Sequence, residues 1–191
     1  MDTLAFFYDT NKPKQPVKSY GKLAVQQRMR LAMAFMNPLR PIIAETWLHY
    51  GKGSRKKAFG QALKKLMEDA LEGEYPDQHV IPSRVTISMG ILPPVQIEEV
   101  LLNKRELEIY FSSGESPMAK TSDEVVLVAY SPEAGVAGRN TEVCIRAQGH
   151  LTVELPPPLW DVPFHAYLFV HSANKRQYSK SQYIGLLTCA E

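Results

Sequence analysis

The sequence predicts an α+β fold in which two or three N-terminal helices precede an antiparallel β-sandwich. Two patterns carry this prediction. Up to about residue 71, apolar residues recur every three or four positions, which is the spacing of one helix face. From about residue 80 onward, apolar and polar residues alternate in short runs that turn residues separate, which is typical of strands.

The region from 21 to 74 is predicted to be helical. Its longest apolar stripe recurs at helical spacing and consists of Val25, Met29, Ala32, Met36, Leu39, Ile43 and Trp47. Because proline has no N–H and fixes φ, Pro38 and Pro41 divide this stripe into a helix that ends near Asn37 and a short helix after it. A third amphipathic helix is predicted from Arg55 to Leu71.

Three short helices with one apolar stripe each bury little surface by themselves. We therefore expect them to pack on one another and against one sheet or one end of the sandwich. Before them, residues 1–20 are predicted to form an irregular basic arm, because Pro13 and Pro16 interrupt any helix. The predicted domains are this arm, the helical region at 21–74 and the sandwich at 80–191.

The closing half of the sandwich has the clearest pattern. Leu151–Leu155 alternates an apolar with a polar face, as a half-buried strand does. Prolines 156–158 have no N–H to give, so the chain must leave the sheet there. Phe164–His171 is apolar on both faces, so we expect a central strand or one covered by another part of the chain. A turn-rich segment is predicted at Pro132–Asn140. The other predicted strands are Val80–Met89, Val95–Leu102, Glu106–Phe111, Glu124–Tyr130, Thr141–Ala147 and Tyr183–Thr188.

The order of elements from Leu151 to Gly185 resembles the last three strands of a fibronectin type III domain. It runs strand, proline-rich corner, aromatic-rich strand, polar turn and closing strand. The resemblance implies an immunoglobulin- or fibronectin III-like sandwich. That family usually places a tryptophan on its second strand as the core aromatic; here the candidates are Tyr110 and Phe111.

Charge is unevenly distributed, although the formal net charge is only +2. Residues 12–65 hold 13 Lys and Arg against one acid, a balance of +12, whereas residues 66–191 hold nine against 17, a balance of −8. A basic face suits an acidic protein surface or the phosphates of nucleic acid, and it is also compatible with plain solvation. The candidate binding residues on the helices are Arg28, Arg30, Arg55, Lys56, Lys57, Lys64 and Lys65.

Motifs for catalysis, metals and cofactors are not recognisable. The turn Gly51–Ser54 before the third helix lacks the GxxxxGK[ST] spacing of a phosphate loop. The five histidines show no HxH or HxxxH spacing. Cys144 and Cys189 form no CxxC pair, so we expect two buried free thiols on strands. The sequence therefore predicts no enzyme, no cofactor, no metal and no small-molecule ligand.

Signals for membrane insertion or export are also not seen. No apolar run approaches the roughly 20 residues that a membrane-spanning helix needs. The first residues lack the basic start and long apolar core of a signal peptide. The default expectation is a cytoplasmic protein without membrane contact, and export through a signal removed before residue 1 stays open.

From Pro16 to Gly185 the chain resembles an uncharacterised bacterial family, a domain of unknown function. The matching positions are Gln26–Arg28, Phe35, Pro38–Leu39, Pro41, Ser83–Pro93, Asp123–Pro132 and Ser179–Gly185. The resemblance implies no activity that can be carried over to this chain.

These observations predict a non-catalytic interaction or assembly module that binds a protein partner or itself. The alternative is a nucleic-acid-binding protein that uses the basic helical face. The oppositely charged halves also suit head-to-tail association between copies. An enzyme would instead require a cleft between helices and sandwich in which polar groups converge.

Overall fold

The computed structural model describes residues 19–114 and 116–189, which stack in three layers. Of the predicted arm, residues 1–20, positions 1–18 lie outside the described residues. That expectation stays a prediction, as does the domain division at 21–74 and 80–191. The three helices are α1 (Tyr20–Met36), α2 (Arg40–Thr46) and α3 (Arg55–Asp69).

The helix ends follow local chemistry. The hydroxyl of Ser19 accepts a hydrogen bond from the Lys22 N–H, and Ser54 caps α3 in the same way. Pro41 lies in the first turn of α2, where its missing N–H costs little. The apolar stripe is only partly buried, and its exposed members lie toward the N-terminal end of α1. There Val25 and Met29 are 62% and 44% exposed.

The strands form an antiparallel sandwich, so the predicted α+β fold is confirmed. One sheet has the order β3-β4-β8, from β3 (Gln96–Asn103), β4 (Glu106–Ser112) and β8 (His150–Glu154). The other has the order β10-β9-β5-β6, with β7 also paired to β5. Its strands are β5 (Glu124–Ser131), β6 (Val136–Arg139), β7 (Cys144–Ile145), β9 (Phe164–His171) and β10 (Gln182–Leu187). A separate hairpin pairs β1 (Leu71–Glu72) with β2 (His79–Val80).

Two of the predicted strands are wrong. Val80–Met89 contributes only its first residue to β2, because Pro82 begins a 3-10 turn and the chain then runs extended outside any ladder. Thr141–Ala147 contributes only the two residues of β7. The strand that pairs with the distal end of β5 is β6, inside the segment predicted as turn. β6 contains an alanine and a glycine, so it lacks an alternating apolar pattern, and its pairing follows from the tight turn after β5.

The β10-β9-β5-β6 sheet is buried on both faces, because a different layer covers each side. On β5, Val125 and Leu127 point into the sandwich, whereas Val126 and Val128 point to the helices. β9 alternates in the same way, with Leu168 in the sandwich core. Tyr167 and Phe169 of β9 pack instead in the helix-facing core, with Phe35, Met36, Ile43 and Leu66. Of the two aromatic candidates on β4, Phe111 is buried in the sandwich and Tyr110 is exposed.

An extended segment, residues 85–92, ties the helices to the sheet, and we call it the clasp. The Thr46 hydroxyl of α2 donates to the Ile87 carbonyl (2.7 Å), and the Ile87 N–H donates to the Ser181 hydroxyl (3.0 Å). The buried Ser88 hydroxyl donates to the Ser179 carbonyl (2.8 Å). The clasp therefore joins two segments of the family resemblance that are distant in sequence, Ser83–Pro93 and Ser179–Gly185.

A buried arginine closes one end of the sandwich. Arg146 is 1% exposed, and its guanidinium donates to the carbonyls of Pro93 (2.7 Å) and Ser113 (2.8 Å). Its Nε lies 3.7 Å from the carboxylate of Asp123, which is also buried. Burial lowers the pKa of Arg146, and the charge of Asp123 opposes that shift. The side chain thus joins the segments that flank β3, β4 and β5.

Replacing Arg146 with methionine should destabilise the fold strongly. The change leaves the Asp123 carboxylate buried without its countercharge, which typically costs about 3–5 kcal/mol. The double variant R146M/D123N removes that unpaired charge and should recover part of the loss. Urea unfolding monitored by fluorescence measures both effects, and an R146M protein within about 1 kcal/mol of the parent would contradict this role.

Replacing Gly90 with alanine should loosen the clasp. A Cβ built on Gly90 lies 2.0 Å from the Tyr178 carbonyl oxygen, so one backbone must shift, at an expected cost of about 1–3 kcal/mol. The matched control is Gly60→Ala on the exposed side of α3, where nothing lies within 4 Å of the new Cβ. Because alanine favours helix, the control should gain about 0.5–1 kcal/mol. Equal unfolding midpoints for the two variants would contradict the close approach.

Candidate functional site

The seven predicted basic residues do not form one uniform surface. Arg30, Arg55, Lys56 and Lys57 are exposed. Arg28 is instead half-buried, and its guanidinium donates to the Met67 carbonyl near the end of α3 (2.9 Å). Arg28 therefore helps to hold α1 on α3.

Acidic neighbours on α3 neutralise part of the predicted basic surface. Lys64 lies 3.7 Å from Glu68, and Lys65 lies 2.7 Å from Asp69, each one helical turn away. The remaining positive charge is concentrated at Arg30 and in the first turn of α3. We call Arg30, Arg55, Lys56 and Lys57 the basic helical face.

The opposite side of the molecule is acidic. On β4, Leu107 and Ile109 point into the sandwich, so the residues between them face outward. The outward carboxylates are Glu99, Glu106, Glu108 and Glu154, which we call the acidic sheet face. Tyr110 donates to the Glu108 carboxylate (2.9 Å), and this bond, with the charges of Glu108 and Glu99, raises the pKa of Tyr110.

A cleft of about 820 Å³ opens where the helical layer meets one end of the sheet. One wall is the end of α2 with the α2–α3 connection, residues 44–55. A second is Met89–Ile91 of the clasp, and the third is Lys175–Tyr178 in the β9–β10 turn. Three segments that are distant in sequence therefore build this cleft.

The cleft combines apolar side chains with cations. Leu48, Tyr50 and Ile91 are exposed at its edge, and Ile91 is 66% exposed. The cations are Arg55 on α3 and two residues of the β9–β10 turn, Lys175 and Arg176. The lining carboxylate, Glu45, is paired with Arg139 at 3.0 Å.

Sequence reasoning found one of the three cations, Arg55, and missed Lys175 and Arg176. Those two lie outside the basic region in a polar turn, where exposed charge is ordinary. One indirect signal in the sequence was Gly90, which lies in Ser83–Pro93, a segment of the family resemblance. Its backbone lies against that of Tyr178, just before Ser179–Gly185, another segment of that resemblance. Close backbone approach is a frequent reason for glycine in an extended segment.

The buried titratable side chains serve the fold. Burial raises the pKa of the Cys144 thiol, whose sulfur lies 3.3 Å from the His150 carbonyl oxygen, so the reactive thiolate is disfavoured. Cys189 is also free but only half-buried, and it follows β10, so its predicted place on a buried strand is wrong. Burial likewise raises the pKa of Tyr167, whose hydroxyl donates to the Pro82 carbonyl (2.9 Å).

Features of a metal site or of a membrane-spanning helix are absent from the part of the chain that the structure describes. Within 19–114 and 116–189, no group of three His, Cys, Asp or Glu side chains is placed to hold a metal ion. None of the helices in this part of the chain has both the length and the apolar character to cross a membrane.

Comparison with known proteins gives matches among solved structures only. No protein-family model and no curated protein matches the chain. The fibronectin type III domain of human collagen alpha-1(XX) is 14% identical with a TM-score of 0.35, over 52% of this chain and 89% of that one. The corresponding domain of human contactin 1 is 14% identical with a TM-score of 0.29, over 55% and 86%. A β-sandwich protein from a computer-based redesign is 12% identical with a TM-score of 0.34, over 53% and 95%.

His165 should make stability depend on pH. Burial lowers its pKa, and its ring nitrogen lies 3.0 Å from the Tyr183 hydroxyl. A depressed histidine pKa gives stability that is complete above the unfolded value, about 6.5, and is lost as pH falls below it. His165→Gln should therefore flatten the fall in unfolding free energy between about pH 7 and 5. His49→Gln, at an exposed position, is the control. Equal slopes for His165→Gln and the parent would contradict the prediction.

Proposed function

We propose that this chain is a non-catalytic interaction and assembly module whose preferred partner is a second copy of itself. The observation that supports it is the position of the two charged faces. The helices cover one side of the β10-β9-β5-β6 sheet, and the β3-β4-β8 sheet covers the other. The layer that carries the basic helical face and the layer that carries the acidic sheet face therefore lie on opposite sides of the central sheet.

Opposed faces of opposite charge favour head-to-tail contact. The basic face of one copy can meet the acidic face of the next without any rearrangement, and complementary potentials both attract and orient the partners. Because this contact pairs two different surfaces, it continues as a chain unless rotation closes it into a ring.

The acidic sheet face is unfavourable in the isolated chain. Glu106 and Glu154 are directly opposed on neighbouring strands, and like charges in such pairs repel. Two cations, Lys104 and Arg105, lie in the turn at one end of this face, and the Arg105 guanidinium stacks on Trp160 at 3.6 Å. A cationic partner would relieve the remaining repulsion.

The cleft's polar groups support a binding role better than a catalytic one. The Thr46 hydroxyl is engaged with the carbonyls of Ile42 and Ile87, and Glu45 is paired with Arg139. His49 packs edge-on against Tyr50. A nucleophile activated by an adjacent base would need a different arrangement.

The alternative function is nucleic-acid binding through the basic helical face. Its support is the run Arg55–Lys57, three exposed cations at the start of α3. Consecutive helical residues diverge by about 100°, so these side chains spread around the helix instead of lining one groove.

Charge reversal tests both functions. The variants R55E/K56E/K57E and E106K/E108K/E154K should each lose self-association, because each leaves two faces of the same sign. Mixed together, they should form a hetero-complex, because the reversed faces are complementary. Light scattering after gel filtration, between about 0.05 and 1 M salt, measures this. The matched control is Glu133→Lys, an exposed charge reversal in the β5–β6 turn.

A monomer at low salt, or a mixture that does not associate, would contradict self-assembly. Binding of the parent to random DNA or RNA with steep salt dependence, lost in R55E/K56E/K57E, would favour the alternative. Absence of such binding at low salt would remove it.

A further inference from the structure

We propose that the cleft between the α2–α3 connection, the clasp and the β9–β10 turn binds a short acidic peptide segment that carries a large apolar side chain. The inference rests on the proposed interaction function, and it gives a partner chemistry to a surface separate from the acidic sheet face. Its occupant is a segment of another protein chain.

The cleft has the size and lining of a peptide site. Its volume of about 820 Å³ lies within the roughly 300–1,000 Å³ of typical ligand pockets. Leu48, Met89 and Ile91 supply apolar surface, and Tyr50 and Tyr178 add aromatic rings. Large apolar residues that cluster at the surface mark interaction sites, because leaving them in water is unfavourable. An apolar side chain of the peptide would be its anchor.

The charge of the cleft selects an acidic partner. Arg55, Lys175 and Arg176 contribute three positive charges, whereas the Glu45 carboxylate is already matched by Arg139. The cations come from two different walls, α3 and the β9–β10 turn. Such separated cations suit carboxylates spaced along an extended chain better than a single compact anion.

Hydrogen bonds fix the β9–β10 turn. The Ser172 N–H donates to the Gln177 carbonyl (2.9 Å), and the Lys175 N–H donates to the Ser172 carbonyl (2.7 Å). The Asn174 carboxamide oxygen accepts from the Arg176 N–H (3.1 Å). The turn therefore presents Lys175 and Arg176 from a defined backbone.

The other two walls are fixed as well. Gly51 lies so close to α3 that a Cβ would be 2.5 Å from the Ala58 nitrogen, and its N–H donates to the Trp47 carbonyl (3.0 Å). In the clasp, the Leu92 N–H donates to the Tyr178 carbonyl (2.9 Å). A preformed site loses less conformational entropy when a ligand binds, which favours affinity.

The lining also distinguishes a peptide from nucleic acid. Phosphate recognition relies on many cations along a groove, with stacking platforms for bases. Here exposed aliphatic side chains, Leu48 and Ile91, occupy the edge of the cleft. These features favour an apolar anchor flanked by carboxylates.

Fluorescence anisotropy with three labelled peptides tests this inference. The first is a heptapeptide of Asp and Glu around a central Leu, the second replaces that Leu with Ala, and the third replaces the acids with Lys. We expect saturable binding of the first peptide only, weakening as salt rises. Amide chemical shifts should change at residues 48–55, 89–91 and 175–178.

Substitutions at exposed residues of the cleft test binding without disturbing the core, so a loss of binding is not explained by misfolding. Ile91→Ser and K175E/R176E should each weaken binding about tenfold or more. The matched control, Lys180→Glu, reverses an exposed charge near the same turn but outside the lining, and it should bind like the parent. Circular dichroism confirms that each variant is folded.

Three results would overturn the inference: no binding of the acidic peptide at low salt, equal binding by the cleft variants and the control, or shift changes elsewhere on the surface. Stronger binding of a poly-dT or RNA probe that the cleft variants lose would also overturn it, in favour of nucleic acid. The variant E106K/E108K/E154K separates this inference from self-assembly, because its cleft is intact. Peptide binding by that variant without self-association of the parent would sink only the assembly proposal.

Discussion

The fold depends on one constraint: the strands β5 and β9 are apolar on both faces. A sheet with two apolar faces is unstable in water unless both are covered, because apolar surface favours removal from solvent. The β3-β4-β8 sheet covers one face, and the helices cover the other with Phe35, Met36 and Ile43. The helices are thus a third layer that shares the central sheet with the sandwich, which explains how such short helices are stabilised.

This layering also determines where contacts with other molecules are available. Because the central sheet is covered on both faces, contacts are available at the outer layers and at the edges and ends of that sheet. The outer layers carry opposite charge, because the basic helices lie on one side of the central sheet and the acidic strands on the other. The cleft lies at the boundary between layers, where the helices stop short of the β9–β10 turn.

Patterns within one segment could be predicted from sequence, and relations between segments could not. Apolar residues on both faces of Phe164–His171 predicted a central strand or one covered by another part of the chain, and the burial of β9 on both faces confirms it. The clasp was mistaken for a strand because Val85 and Ile87 alternate with polar residues and are buried, whereas the backbone of Ile87 is hydrogen-bonded to the side chains of Thr46 and Ser181. The cleft could not be predicted, because the spacing of apolar residues within a segment does not show which distant segments meet.

The central claim is that the helices and the sandwich share the central sheet and unfold together. Native-state hydrogen exchange across a denaturant series tests it most directly. The account predicts that the slowest amides of α1, near Ala32–Met36, and those of β9 exchange with the same free energy of opening, equal to that of global unfolding. Helix amides that exchange through a separate opening of lower free energy, while the β9 amides stay protected, would contradict it.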